Sequence, residues 1–156
     1  MSHPAPESDV IVIGSGAAGQ AGARAAAGAR VTLITKAALG SANSPWAPGG
    51  VAAAIADDDS PTIHAADTIA VGVGLNDPDA VRVLTTEGPD RVRELLAWGA
   101  RFDRADDGEL DLAREAAHST RRILHSADAT GVEIIRTLCE TVVKCRAITV
   151  VEHATV

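Results

Sequence analysis

Residues 9–19, DVIVIGSGAAG, decide the fold of this chain. The run Val10–Ile13 is unbroken and apolar, which predicts a strand buried on both faces of a parallel sheet. Gly14, Gly16 and Gly19 follow at the spacing G-x-G-x-x-G, and an alanine-rich stretch comes next. In a strand–turn–helix unit such glycines allow a tight turn, close approach of a pyrophosphate, and packing of helix on strand. Because the helix N-terminus adds free N–H groups, the stretch predicts a dinucleotide site rather than a glycine-rich turn without a ligand.

The composition indicates one acidic domain with an aliphatic core. The chain has 156 residues, 46% of them hydrophobic, and only 2% aromatic. A net charge of -7 argues against nucleic acid or an anionic membrane surface as partner, and no apolar run approaches the ~20 residues of a membrane span. Residues 1–8 lack the features of a secretory signal, and we expect a disordered lead-in there. Cys139 and Cys145 form no C-x-x-C pair and predict reduced thiols in a cytoplasmic protein.

The next segments predict the rest of a β–α–β unit. Ala17–Ala27 should form the first helix, which Gly28 ends early, and 30–35 should form the second strand. A simple dinucleotide fold would place Asp or Glu at the end of this strand to hold the ribose hydroxyls. Thr35 and Lys36 stand there instead, so the chain departs from an ordinary NAD-binding domain.

The stretch 37–55 is rich in Gly, Ser, Asn and Pro and then turns to small apolar residues. We predict a loop that becomes helical at Gly49 or Gly50, where backbone N–H groups would again face a ligand. An ordinary surface loop is the alternative.

The middle of the chain predicts helices that begin at capping residues. The acidic run 57–59 indicates a solvated turn, and Ser60 before Pro61 indicates a helix start, with an apolar face made by Ile63, Ala66 and Ala70. A second helix should begin after Asp77, with Pro78 in its first turn, and should contain Val81, Val83 and Leu84.

Gly88 and Pro89 should break that helix, so a third helix is expected over 89–98, with Val92, Leu95 and Leu96 inward. The stretch 101–112 predicts a strand, a turn at Asp106-Asp107-Gly108 and a second strand.

Charged and polar residues concentrate in 113–131, AREAAHSTRRILHSADATG. On charge pattern alone this segment indicates a solvated loop with local ion pairs. His118 and His125 lack a clear set of partner ligands, so no metal site is predicted. An amphipathic helix over 132–144, with Ile135, Leu138 and Val142 on one face, and a third strand over 147–151 complete the chain.

Five motifs resemble the flavoprotein family of L-aspartate oxidase, succinate dehydrogenase and fumarate reductase, and among its members the L-aspartate oxidases are most similar. The motifs are VIGSGAAG at 12–19, ITK at 34–36, NSPWAPGGVAAA at 43–54, DTIAVGVGLNDPD at 67–79, and the segment 113–131. The resemblance implies an α/β fold: the N-terminal portion, residues 9–156, of a Rossmann-type FAD-binding domain, with a parallel sheet, flanking helices and a small β-hairpin. The capping and C-terminal helical domains of the family are absent from these residues.

The resemblance also implies the cofactor and the residues that hold it. FAD should lie against the first glycine turn and against Lys36 and the loop after it; the implied residues are Gly14, Ser15, Gly16, Ala17, Ala18, Gly19, Lys36, Asn43, Ser44, Pro45, Trp46, Ala47, Pro48, Gly49 and Gly50. Asn43 stands where succinate dehydrogenases carry the histidine that bonds to FAD, so the flavin should be non-covalent. Pro48 replaces a glutamine and removes a backbone donor, and Ala116 and Ala117 replace two glycines. A methyl group at either position would clash if the backbone there needs a positive φ or a close approach of the flavin.

Glu115 falls on the glutamate that L-aspartate oxidases use to orient the substrate, whereas the succinate and fumarate enzymes carry an apolar residue there. Arg114, Arg121 and Arg122 are candidates for carboxylate binding or for bracing the domain. The implied activity is oxidation of L-aspartate to iminoaspartate with oxygen or fumarate as electron acceptor, the first step towards quinolinate and NAD, with a functional link to quinolinate synthase. A succinate or fumarate enzyme and a truncated nucleotide-binding remnant without activity are the alternatives.

Overall fold

The computed structural model describes residues 7–156, so most of the expected lead-in lies outside the described residues. The chain folds as two compact units, one made of residues up to Ala47 together with Gly131–Val156, the other of Pro48–Thr130. The elements in chain order are β1 (Val10–Ile13), α1 (Ala17–Ala25), β2 (Val31–Ile34), a short 3-10 helix (Ser44–Trp46), β3 (Val51–Ala52), α2 (Pro61–Gly72), α3 (Pro78–Ala97), β4 (Ile123–Leu124), α4 (Thr130–Lys144) and β5 (Ile148–Val151). None of the helices that the described residues form is both long and apolar enough to cross a membrane.

The first unit contains the parallel sheet that the sequence predicts. Its strand order is β1-β2-β5, and Val31 of β2 pairs with Val10 on one side and with Ile148 on the other. Ala23 of α1 and Val142 of α4 pack on this sheet in one buried apolar cluster. The amphipathic pattern of α4 is confirmed, because its predicted inward positions are the buried ones.

The prediction that β1 is buried on both faces is wrong. Val10 and Val12 pack against the apolar cluster, but Ile11 and Ile13 point to the opposite face of the sheet and are 61% and 67% exposed. Side chains alternate along a strand, and the helices of this unit supply apolar partners to one face. The apolar run therefore predicted the strand correctly, but it did not predict which face of the strand is buried.

In the second unit, α3 continues through Pro89, against the prediction of two helices. Proline removes one main-chain hydrogen bond, but Val81, Thr85, Pro89 and Val92 form one continuous buried stripe along the helix. Tertiary packing of that stripe outweighs the local break. Val83 and Leu84 lie on this helix, as predicted, and their side chains are exposed.

The start of α2 is confirmed, but its buried face is not the predicted one. Ser60 caps the helix, since its Oγ accepts a hydrogen bond from the Ile63 N–H at 3.2 Å. Ile63 is 38% exposed, and Ala66 and Ala70 are exposed as well. The residue of α2 that is buried is His64, because the helix turns its polar side towards a charged interior.

The helix expected from Gly49 or Gly50 is also wrong. Val51 and Ala52 form β3, which pairs antiparallel with β4. A side chain at Gly50 would overlap Ile123 and lie 2.6 Å from the carbonyl oxygen of Leu124, so glycine is needed for this close approach of two backbones. The predicted hairpin is reduced to a single antiparallel bridge between Arg104 and Leu110.

Candidate functional site

The turn between β1 and α1 has the close geometry that its glycines predict. Gly14 has a φ of +100°, a conformation that favours glycine. A side chain at Gly19 would overlap the carbonyl oxygen of Gly14, so the first turn of α1 lies directly on the end of β1. At Gly16, which caps the helix, an added Cβ would lie 3.4 Å from the Ser44 Oγ.

The N-terminus of α1 fits a pyrophosphate. Its first turn contains no acidic residue, and Gly16 supplies no side-chain cap, so the positive end of the helix dipole is not neutralised locally. Two hydrogen bonds of Ser15 stabilise the turn. The Ser15 and Thr35 hydroxyls are 2.7 Å apart, and the Gln20 Nε2 donates to the Ser15 carbonyl at 2.8 Å. Ala17 donates its N–H to the Ser44 Oγ at 3.2 Å.

The loop after β2 carries the next set of predicted cofactor residues. Lys36 and Asn43 are exposed, and the short helix Ser44–Trp46 leaves the Trp46 side chain 84% exposed. Glu152, just after β5, accepts a hydrogen bond from the Leu39 N–H at 2.6 Å and ties this loop to the sheet. Sequence reasoning missed Glu152, because nothing local links it to a loop 113 residues earlier.

Pro48, Gly49 and Gly50 belong to the second unit, where they line an open cleft of about 460 Å³. Glu115, the predicted substrate residue, lines the same cleft and is exposed. The remaining lining residues are Ala113, Ile123, His125, Ala127 and Asp128. The structure therefore brings the second glycine pair and the candidate carboxylate to one cavity, although they are more than sixty positions apart in the sequence.

A histidine with a fixed ring orientation lies in this cleft. The His125 Nδ1 is 2.8 Å from the Asp103 Oδ2, and the same oxygen accepts the Ala127 N–H at 2.7 Å. The Asp103 N–H in turn donates to the His125 carbonyl at 2.8 Å. The hydrogen bond from Ala127 and the neighbouring imidazole hold the pKa of Asp103 below its usual value.

In the segment 113–131, which also carries Glu115, Arg122 is completely buried in a network of polar groups. Its Nε and Nη2 meet the Asp59 carboxylate at 2.7 and 2.8 Å, and its Nη1 meets the Asp67 Oδ2 at 2.6 Å. Asp67 also accepts the N–H and the hydroxyl of Ser119 at 2.8 Å each, and these bonds, with Arg122, lower its pKa to about 2. Hydrogen bonds from Arg122 and Ser60 outweigh burial and lower the pKa of Asp59.

This network divides the roles of the three arginines. Arg122 braces the unit, whereas Arg121 and Arg114 are exposed and line a second cavity with Ser119 and Thr120. The reading of residues 57–59 as a solvated turn is therefore wrong for Asp59, whose side chain is fully buried. The sequence signal was misleading because Asp57 and Asp58 beside it are indeed exposed.

Two histidines border the network. The His118 Nδ1 lies 3.1 Å from the Arg122 Nη1, and the ring of His64 is 5.7 Å from that of His118. His64 is 5% exposed, and burial is the main reason that its pKa is lowered, with the positive charge of Arg122 adding to the effect. Within residues 7–156, no group of three or more His, Cys, Asp or Glu has an arrangement that would hold a metal ion.

The segment of Glu115 also contains a strained residue. Ala117 has a φ of +70°, and Ala127 at the cleft has a φ of +44°. These are left-handed conformations that cost an alanine about 1–2 kcal/mol. Of the two alanines that replace glycines here, Ala117 has a positive φ and Ala116 does not, so the backbone strain applies to Ala117.

Comparison with known proteins decides the family. The model of the FAD binding domain family matches residues 9–156. The chain belongs to this family. The expectations of an FAD cofactor and of an α/β fold with a parallel sheet are thereby confirmed.

The predicted resemblance of this chain to the N-terminal part of L-aspartate oxidases is confirmed by its curated relatives. The chain is 49% identical to the L-aspartate oxidase of Streptomyces coelicolor over 100% of its length, which is 28% of that protein. It is 47% identical to the chloroplastic L-aspartate oxidase of Arabidopsis thaliana over 93% of its length, or 22% of that protein. The chain thus spans between a fifth and a third of the relatives that it matches.

Solved structures share the fold of this chain. The Sdh1 complex of Mycobacterium smegmatis in the apo form has a chain 36% identical, with a TM-score of 0.85 over 94% of this chain and 27% of that one. A variant of the FrdA chain of E. coli quinol fumarate reductase is 30% identical, with a TM-score of 0.86 over 94% of this chain and 26% of that one.

Proposed function

We propose that the complete protein carrying this chain oxidises L-aspartate to iminoaspartate with FAD. The observation that supports this most directly is the 49% identity to an L-aspartate oxidase over the whole chain, against 36% and 30% for the Sdh1 and fumarate reductase chains. The second support is chemical. A carboxylate, Glu115, stands at the cleft where substrate discrimination is expected.

FAD supplies the two-electron chemistry when it is bound, and the residues of this chain bind and orient. The Gly14–Gly19 turn would hold the pyrophosphate on the N-terminus of α1, and Lys36 with residues 43–50 would line the rest of the cofactor. Asn43 has no nucleophilic nitrogen comparable to an imidazole, so we propose that the flavin is held without a covalent bond.

Glu115 would distinguish aspartate from succinate. The two substrates differ by an α-ammonium group, and a carboxylate beside that group makes a charge-assisted hydrogen bond that succinate lacks. A site built around such a pair rejects the analogue without the ammonium more strongly than an apolar pocket rejects a missing methylene group.

The experiment compares L-aspartate oxidation and fumarate reduction by the complete wild-type protein and by the Glu115→Gln variant. Replacing the charge with a neutral amide should cost about 1.5–3 kcal/mol, or roughly 10- to 150-fold in kcat/KM for L-aspartate. Fumarate reduction should lose less, because fumarate carries no ammonium group. A larger loss for fumarate would favour a succinate or fumarate enzyme, and a wild type without either activity would favour a nucleotide-binding remnant.

The remaining assignments follow from the same proposal. Electrons would pass to oxygen or fumarate, and the product would feed the formation of quinolinate, which links the protein functionally to quinolinate synthase. Reduced Cys139 and Cys145 fit a cytoplasmic location, and both are free thiols in the structure.

A further inference from the structure

The cleft that contains Glu115 also holds a histidine for which the sequence predicted no role. His125 lines this cleft and keeps a quarter of its side chain exposed. Its ring is hydrogen-bonded at the Nδ1. The main chains of Asp103 and His125 are hydrogen-bonded, and the carboxylate of Asp103 contacts the Nδ1 at 2.8 Å.

This contact determines the tautomer. An ionised carboxylate only accepts hydrogen bonds, so the Nδ1 must carry the proton that Asp103 receives. The other ring nitrogen, Nε2, then holds a lone pair when the ring is neutral. An imidazole oriented by a carboxylate in this way is the usual arrangement of a histidine that accepts a proton from a substrate.

The carboxylates near His125 and along the cleft are negative. The Asp111 Oδ2 lies 4.0 Å from the His125 Nε2, and Glu115 and Asp128 line the cleft. No cationic side chain lines this cleft among the described residues. Such surroundings attract a cation that can donate protons, and they stabilise positive charge that develops on it.

The backbone at the cleft is held in a costly conformation. Ala127 has a φ of +44°, and its N–H is bound by the Asp103 oxygen that also contacts the histidine. Strain of this kind persists where the surrounding structure enforces it, and it is common at functional sites. The strained residue Ala127 and the oriented ring of His125 therefore line the same cleft.

We propose that His125 is a catalytic base that accepts a proton from the α-ammonium group of L-aspartate, with Asp103 as its positioning residue. The inference rests on the proposed function. The ammonium N–H bond breaks and its proton passes to the Nε2, which leaves a neutral amine. The nitrogen lone pair would then form the C=N bond as the Cα–H bond breaks, with FAD, when bound, as the acceptor of the hydride. The positive charge of the resulting iminium group is stabilised by Glu115.

The test uses the complete FAD-loaded protein and measures kcat/KM for L-aspartate from pH 5.5 to 9. The wild-type kcat/KM should be higher at pH 9 than at pH 5.5, because only an unprotonated base can accept the proton. In His125→Asn, kcat/KM should fall about 100-fold or more, and its rise with pH should disappear. Asp103→Asn should lower kcat/KM in the same direction. Fumarate reduction should change less than twofold in both variants, because fumarate has no ammonium proton to remove. His153→Asn, at an exposed histidine, is the matched control and should behave as wild type.

A readout independent of turnover is the ¹⁵N NMR spectrum of the histidine side chains. The signals that His125→Asn removes should show, above pH 8, a protonated Nδ1 and an unprotonated Nε2. An Nε2–H tautomer, an unchanged pH profile in His125→Asn, or equal losses for fumarate and L-aspartate would each overturn the inference. A wild type that does not oxidise L-aspartate would instead overturn the proposed function.

Discussion

Arg122 and Asp59 form a two-point ion pair in which neither side chain exposes any surface. The Arg122 Nε lies 2.7 Å from one Asp59 oxygen and the Nη2 lies 2.8 Å from the other. The pair joins the loop before α2 to the residue before β4, which are 63 positions apart. The pair anchors one residue of the segment 113–131, which also carries Glu115, the carboxylate proposed to read the substrate.

Removing one partner of this pair should destabilise the protein strongly. Asp59→Ala leaves the Arg122 guanidinium buried with an unpaired donor, and the expected loss in the free energy of unfolding is about 3–5 kcal/mol. Urea denaturation measures it. Asp58→Ala, one position earlier and exposed, is the control and should change stability by no more than about 0.5 kcal/mol. Similar urea midpoints for the two variants would contradict this role of Asp59.

Acid should destabilise the protein in two separate pH ranges. The pKa of His64 is lowered from 6.5 by burial, so the unfolded chain binds its proton first and stability falls as the pH drops below about 6.5. The pKa of Asp67 is lowered from 3.8 to about 2, so its contribution is present above pH 4 and is lost as the pH falls towards 2. Across pH 2–8, His64→Leu should remove the upper slope of the urea midpoints. Asp67→Asn should reduce the lower slope, to which Asp59 and Asp103, whose pKa values are also lowered, contribute as well. If His64→Leu changed only the slope at low pH, or Asp67→Asn changed only the slope near pH 6, the assignment of the two slopes would be wrong.

Relieving the backbone strain at Ala117 should stabilise the protein. Glycine adopts a φ of +70° without the cost that alanine bears, so Ala117→Gly should gain roughly 0.5–1 kcal/mol after the added freedom of the unfolded chain is subtracted. The control is Ala116→Gly, where φ is not positive and only the entropic cost applies. Thermal unfolding should therefore shift in opposite directions for two neighbouring Ala→Gly changes. A decrease in both would mean that the conformation at Ala117 carries no strain.

Glycines of α1 should differ sharply in their tolerance of a methyl group. Gly19→Ala places a Cβ on the carbonyl oxygen of Gly14, which must push α1 away from β1 and abolish FAD binding. Gly16→Val should also abolish it, since a branched side chain would occupy the pyrophosphate position. Gly22→Ala meets nothing within 4 Å and should retain FAD with up to about 1 kcal/mol of added helix stability.

The measurement for these variants is the flavin absorbance of the supernatant after acid precipitation. Flavin that remains with the precipitate in the wild type would contradict the non-covalent assignment at Asn43. Equal flavin content in Gly19→Ala and Gly22→Ala would contradict the role of the close contact between α1 and β1.

Local patterns were sufficient where a feature depends on a few consecutive residues. The strand Val10–Ile13, the glycine turn, the Ser60 cap and the inward face of α4 were all predicted. Each follows from strand propensity, hydrogen bonding within one turn, or helical periodicity. The family, and with it the FAD cofactor, was also readable from short motifs, because those motifs are themselves local.

Tertiary structure decided the features that depend on distant partners. Whether Ile11 is covered, whether Pro89 ends a helix, and whether Asp59 meets water or Arg122 depend on elements far away in sequence. The free energy of packing a buried stripe or of pairing a buried charge exceeds the local preferences that a sequence pattern reports. The hydrogen bond between His125 and Asp103 belongs to the same class, because the two residues are 22 positions apart and no sequence pattern predicts that they meet.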